Sequence, residues 1–303
     1  MVTYQKLQRK ERSLKALTGL SKKEFEALCL EASFYWERRF ERKDRKRKVG
    51  GGRKSKLSLL ADELVLLLFF YRHYPAYEVL SWLFDLDISN VSRHIKKTEK
   101  VLWFLSRKRL QRPRGAAKIK TIKELYEKFP ELTELIGDAT EFPVRSPKDK
   151  KKRKSYFSGR KKRHTAKVQF ITDKKERIYD VSASYPGRNH DKKVMGLEKT
   201  PDKIPRKSIL RLDSGYEKIQ KEYPENRFVL PKKANRWQKL NKTDHKKNKM
   251  NAKKRIKIEH IIGRLKHYKI LSEVYRHNTA GHNRTVKNIC GLYNFRLDLA
   301  ALT

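Results

Sequence analysis

The apolar periodicity of the chain changes partway along its length, and this change most constrains the fold. Up to about residue 105, apolar residues recur at helical spacing. Phe25, Leu28, Cys29, Ala32 and Trp36 form one stripe, and Asp62 to Tyr74 is strongly apolar. From about residue 126 they come instead in short, often β-branched segments bounded by Gly, Pro, Asp and Lys. The expected class is therefore α+β or α/β: an all-helical first part, then a mixed sheet.

The helical part reads in two pieces. Residues 1–48 form an N-terminal helical region, with Ser21 and Glu24 in the capping-box arrangement. A very basic run then ends at Gly50-Gly51-Gly52, which reads as a hinge. Residues 57–105 read as three helices. Pro75 opens the second at its first turn, and Ser89 caps the third, which carries Val91, Ile95, Thr98, Val101 and Leu102 inward. A short helix, a tight turn and a polar, basic helix follow the helix-turn-helix order, in which the last helix lies in the major groove. Asn90, Ser92, Arg93, Lys96 and Lys97 would face DNA there, and Arg, Asn and Ser suit base edges. Residues 106–125 form a basic linker containing Pro113 and Gly115.

Charge narrows the partner. Of 303 residues, 77 are Lys or Arg and 34 are Asp or Glu, for a formal net charge of +43. Such an excess calls for a polyanion. A membrane is not expected to supply it: the longest apolar run, Leu64 to Tyr71, is far short of the ~20 residues that span a bilayer. Met1 to Lys6 has no apolar signal core. Cys29 and Cys290 form no CxxC pair, so neither a disulfide framework nor a zinc site is expected. The glycine triplet lacks the Lys-Ser/Thr of a phosphate-binding loop. A cytoplasmic, nucleoid-associated, nucleic-acid-binding protein is expected.

Within residues 126–303, strands are expected at Leu132–Val144, His164–Thr172, Arg177–Ser184, Ser208–Leu212 and Asn226–Pro231. Helices are expected at Asp191–Leu197 and Lys253–Tyr268, with a polar basic stretch at 232–250. This is the order of elements in ribonuclease-H-like domains. Three acids stand apart from the lysine-rich surface. Asp138 lies mid-strand, where an unpaired carboxylate is costly. Asp213 ends the fourth strand before Gly215, and Glu259 sits between Ile258 and Ile261 on the late helix. Converging carboxylates suit Mg²⁺, and two such ions activate an attacking oxygen and stabilise a leaving one. Lys148 to Arg163 holds ten Lys or Arg among sixteen residues. It reads either as a solvated hairpin tip or as a DNA clamp through Lys150, Lys151, Lys152, Arg160 and Lys161. Asn189-His190-Asp191 could place a further carboxylate near the site, but since it follows the third strand it reads first as a helix cap.

These residues carry a family resemblance. Asp213-Ser214-Gly215-Tyr216 fits the Asp-x-Gly-Phe/Tyr motif of DDE transposases. Arg255-x₃-Glu259-x₆-Lys266 fits the later part of their Tyr-x₂-Arg-x₃-Glu-x₆-Lys motif, and Asp138-Ala139-Thr140 resembles their first-acid strand. The chain resembles bacterial insertion-sequence transposases, the insertion-sequence-five family and its Harbinger relatives, over about residues 57 to 298. It departs at Ala252, where the motif has Tyr. The resemblance implies that Asp138, Asp213 and Glu259 hold two Mg²⁺ ions, with Mn²⁺ as a substitute, and that Arg255 and Lys266 contact DNA near the cut. It also implies double-stranded DNA partners (terminal inverted repeats and target DNA) and a homodimer or larger assembly on them. The rival expectation is a catalytically silent, sequence-specific DNA-binding protein derived from a transposase.

Overall fold

The computed structural model describes residues 1–40, 55–111, 115–119, 121–234 and 239–302. The Gly50-Gly51-Gly52 hinge lies outside the described residues, as do most of the basic run before it and Pro113 of the linker. The chain forms two compact units. One comprises Met1–Arg109, Lys266–Glu273 and Arg284–Thr303; the other comprises Leu110–Leu265 and Val274–Asn283.

The first unit is helical. Its helices are Tyr4–Leu7, Glu11–Thr18, Lys22–Phe40, Leu60–His73, Tyr77–Phe84, Ile88–Arg109 and Lys269–Ser272, with most of Thr279–Ala300. The capping box forms as the sequence indicates: Glu24 N–H donates to Ser21 Oγ, and Ser21 N–H to Glu24 Oε2 at 2.7 Å. Phe25, Leu28 and Ala32 are fully buried, so the stripe is a packing face. Polar groups are buried here too. Glu63 accepts from Thr98 Oγ1 at 3.0 Å and faces His94 Nδ1 at 2.8 Å. Glu99 accepts from the Tyr71 hydroxyl.

The second unit is built on a mixed sheet of seven strands: β1 (Glu134–Pro143), β2 (Phe157–Ser158), β3 (Arg163–Asp173), β4 (Ile178–Val181), β5 (Tyr185–Pro186), β6 (Ile209–Arg211) and β7 (Arg227–Val229). β3 runs antiparallel to β1, and its other edge pairs in turn with β2, β5 and β4. β6 is parallel to β1, and β7 to β6. The order β4-β3-β1-β6-β7 with these directions is consistent with a ribonuclease-H-like arrangement. Helix Asp191–Leu197 falls where the sequence places it. The late helix, Lys242–Lys266, starts eleven residues earlier than expected. Its added turns carry no apolar stripe; they begin at Asn241, whose Oδ1 accepts from Asp244 N–H at 2.7 Å. Helix Lys150–Tyr156 occupies part of the basic segment, capped by that segment's one acid, Asp149, which accepts from Lys152 N–H at 2.8 Å. A turn then leads through β2 into β3.

Two opposed layers follow from strand alternation. Leu135, Ile171, Leu210, Leu212, Met195 and Tyr216 form one core face. The other face of β1 and β6 meets helix Lys242–Lys266 through Glu134, Arg211, Asp138 and Asp213.

Candidate active site

The parallel register between β1 and β6 builds the site. Glu134 aligns with Ile209 and Ile136 with Arg211, so the same register carried two residues further sets Asp138 beside Asp213. Both side chains then point to the same face, the one covered by the late helix. β6 ends at Arg211 while β1 continues to Pro143, so β1 has no strand beside it on that side from Asp138 until Pro143 O accepts from Tyr275 N–H at 3.0 Å. A cavity of about 730 Å³ opens there. It is lined by Asp138, Glu141, Arg160, Lys161, Lys167, Asp191, Asp213, Arg255 and Glu259, among others.

Local sequence fixes each group. Gly137 keeps the space free: a Cβ there would lie 2.7 Å from Leu212 Cδ2 and 3.0 Å from Ile171 Cδ1, so both side chains would have to shift. The core face therefore closes tightly under the residue that precedes Asp138. Tyr216, the last residue of the Asp-x-Gly-Tyr motif, is fully buried beneath the site and donates to Gln169 Oε1 at 3.4 Å. It is a packing residue. On the late helix, Arg255, Glu259 and Ile262 are spaced i, i+4 and i+7, so one helical face lines the cavity.

The charges at the centre are out of balance. Arg255 Nη1 donates to Asp213 Oδ1 at 3.2 Å, and its Nη2 is 4.0 Å from Asp138 Oδ1. Its Nε is buried without a hydrogen-bond partner among the described residues. Asp138 is only 19% exposed. Burial is the largest influence on it; with the charges of Asp191 and Asp213, burial pushes its pKa up to about 6, against the opposing pull of Arg255 and the Ala139 N–H.

Asp191 enters this cluster as well. His190 takes the cap position of helix Asp191–Leu197, and Asp191 begins its first turn. Its Oδ1 accepts from Lys167 Nζ at 2.7 Å. Lys167 also lies 3.7 Å from Glu141, its partner across β1 and β3, and Glu141 accepts from Thr165 Oγ1 at 2.8 Å. Gly215 allows this approach, since a Cβ there would sit 3.1 Å from Asp191 Oδ2. Sequence reasoning passed over Lys167, although a lysine inside an apolar strand is as conspicuous as Asp138.

Asp138 and Asp213 thus come together around Arg255, and Glu259 lines the same cavity from the helix while remaining exposed. As the side chains stand, no three His, Cys, Asp or Glu among the described residues enclose a point where an ion would sit. The donor chemistry nevertheless fits a hard divalent cation: two carboxylates already share one positive charge, and all candidate donors are oxygens. Arg160 and Lys161 line the cavity. Lys150, Lys151 and Lys152 are exposed on their own helix. Lys266 does not line the cavity, and Ala252 is exposed. In the helical unit Arg93 and Lys96 are exposed, Asn90 and Ser92 half-buried, and Lys97 holds its ammonium 3.8 Å from the centre of the Trp36 ring.

Residues 137–294 match the family model described as DDE superfamily endonuclease. The chain belongs to that family. It is also 30% identical over 260 residues, 85% of this chain and 88% of the other, to the "Probable transposase for insertion sequence element IS702" of Microchaete diplosiphon. No solved structure matches the chain. The enzyme is therefore a DDE endonuclease, a family that uses divalent metal and acts on DNA. Among the described residues no helix is long and apolar enough to cross a membrane.

Proposed function

We propose that this endonuclease is the transposase of an insertion sequence, and that Asp138, Asp213 and Glu259 are its catalytic acids. The observation that carries this reading is the β1–β6 register, which sets Asp138, midway along β1, beside Asp213, just past the end of β6, facing the helix that bears Glu259. These three would hold two Mg²⁺ ions, with Mn²⁺ able to replace them, which activate the attacking oxygen and stabilise the leaving one. Arg160 and Lys161 bind the phosphate backbone at the mouth of the cavity. Arg255 neutralises the two aspartates before DNA arrives and then contacts the phosphate. Cleavage and strand transfer are both displacements at phosphorus, so one site serves both.

The helices Tyr77–Phe84 and Ile88–Arg109 fit a helix-turn-helix reader of the terminal inverted repeats, with Asn90, Ser92, Arg93 and Lys96 toward the major groove. Two ends must be handled together, so a homodimer or larger assembly on DNA is part of the proposal. The test is cleavage of labelled duplex carrying the inverted repeats that flank the gene, with Mg²⁺ or with chelator. Wild type should release a 3′-hydroxyl only with Mg²⁺, and Asp138→Asn, Asp213→Asn and Glu259→Gln should each bind the duplex without cutting it. Cutting by any of the three variants would overturn the assignment of that acid.

A further inference from the structure

A second cavity, of about 720 Å³, adjoins the first. Lys150, Arg153, Lys154, Phe157, Gly159, His164 and Arg188 line it, and Gly159 and Arg188 also line the acid cavity. Its volume lies within the ~300–1,000 Å³ typical of pockets for small ligands. Among the described residues Phe157, 42% exposed, is the one apolar side chain in its lining. An aromatic ring left this open beside five basic or potentially basic side chains is an unusual use of a large apolar group in a strand.

The surroundings hold that ring still. Phe157 pairs with His164 across β2 and β3, and the two rings meet edge to face, with centroids 5.6 Å apart at 73°. Lys150, Arg153 and Lys154 are spaced i, i+3 and i+4 and share one face of helix Lys150–Tyr156. Arg188 N–H donates to Ser155 O at 3.2 Å, which ties the Arg188 loop to that helix. Among the described residues, none of these four cations is paired with a carboxylate. Arg153 donates only to the carbonyls of Pro147 and Lys148. A flat aromatic surface ringed by unpaired cations is complementary to one chemistry above others: a base to stack on the ring and phosphates on either side to meet the cations.

We propose that this cavity holds a single unpaired nucleotide of the DNA, stacked on Phe157, next to the phosphodiester that the acid cavity cuts. The proposal rests on the reading of the acid cavity as the cutting site. The shared Gly159 and Arg188 make the two positions contiguous on one strand. A nucleotide held there fixes the strand's path into the acid cavity without reading its sequence, because every base has a face to stack.

The test uses the full chain and fluorescently labelled duplexes, blunt or with a four-nucleotide single-stranded tail, with binding measured in chelator at fixed salt. Wild type should bind the tailed duplex about 5- to 150-fold tighter than the blunt one, the span expected for one stacked base. Phe157→Ala should remove that preference and leave blunt-duplex affinity unchanged, and Phe157→Tyr should keep it. An equal affinity of wild type for both duplexes would overturn the proposal, as would a preference that survives Phe157→Ala. So would a Phe157→Ala variant that loses blunt and tailed binding alike. Cleavage with Mg²⁺ is measured in parallel: a tail preference that depends on Phe157 in a protein that cuts no DNA would sink the reading of the acid cavity and leave this stacking site standing.

Discussion

Two carboxylate layers lie four residues apart on the same face of β1, and they are opposites. At Glu134 one acid meets three cations: Arg211, Lys254 at 2.9 Å and Lys174 at 2.5 Å. Burial would raise its pKa, but the hydrogen bonds from Lys174, Lys254 and Arg211 prevail and hold it down at about 2. At Asp138 the ratio is inverted: two aspartates share one arginine, with Asp191 near and Glu259 in the same cavity. The first layer is complete and anchors the late helix, with Arg211 also donating to Asn251. At the centre of the second, among the described residues, Arg255 is the cation that reaches both aspartates, while Arg160, Lys161, Lys167 and Arg188 line the same cavity around it. Under the proposed function, this second layer is the one that takes the divalent cation.

The largest expected separation of the two layers is catalytic. Asp213→Asn should lower DNA cleavage by about 10³-fold, since metal stabilisation of a developing charge is worth several kcal/mol. Its thermal midpoint should stay close to wild type. Glu134→Gln should cut at the wild-type rate per folded molecule. Equal losses in the two variants would erase the distinction.

Stability should separate them the other way. Glu134→Gln leaves Arg211 without its carboxylate in a poorly exposed site, and removing one partner of a buried pair costs about 3–5 kcal/mol. Urea unfolding of both variants measures this, and a Glu134→Gln protein as stable as wild type would break the anchor reading.

Their pH dependences should have opposite signs. Glu134 is held below its unfolded value, so its contribution is present above the ordinary carboxylate range and is lost as pH falls toward about 2. Asp138 is raised to about 6, so its contribution is present below about pH 4 and is lost as pH rises through 6. At pH 7 without divalent ions, Asp138→Asn should therefore be more stable than wild type by up to about 3 kcal/mol. Urea midpoints in chelator from pH 4 to 8 test this. A variant that runs parallel to wild type across that range would contradict it.

The smallest expected effect is steric. Gly137→Ala forces a methyl against Leu212 and Ile171, which should cost about 1–3 kcal/mol and displace Asp138. Unfolding and cleavage measured on one preparation should show both losses together.

The sequence reveals more of the strands than of the helices around them. Five expected strands appear near their places because each is a short apolar segment with clear stops. The helix Thr279–Ala300 is not legible in the same way. His282, Thr285, Asn288 and Asn294 are fully buried along it among Val286, Ile289, Cys290, Leu292 and Phe295, so polar side chains interrupt its apolar inward face. His282, facing Ser184 Oγ at 2.8 Å, is kept neutral by burial, with its pKa lowered to about 4. The early turns of helix Lys242–Lys266 are hidden for a related reason: Asp244 and Asn251, both polar, are the residues buried there. At the site, Asp138, Asp213 and Glu259 stand out because each interrupts or ends an apolar pattern. Asp191 does not, since an acid at a helix start is ordinary. Only the tertiary contact with Lys167 separates it from a cap.

The central claim is that the Asp138 layer, and not the Glu134 layer, takes a divalent cation. Mn²⁺ titration followed by the resonance signal of the free ion tests it directly on three proteins: wild type, the Asp138→Asn/Asp213→Asn double variant, and Glu134→Gln. Wild type and Glu134→Gln should each bind Mn²⁺, and the double variant should not. Undiminished Mn²⁺ binding by a folded double variant would contradict the claim.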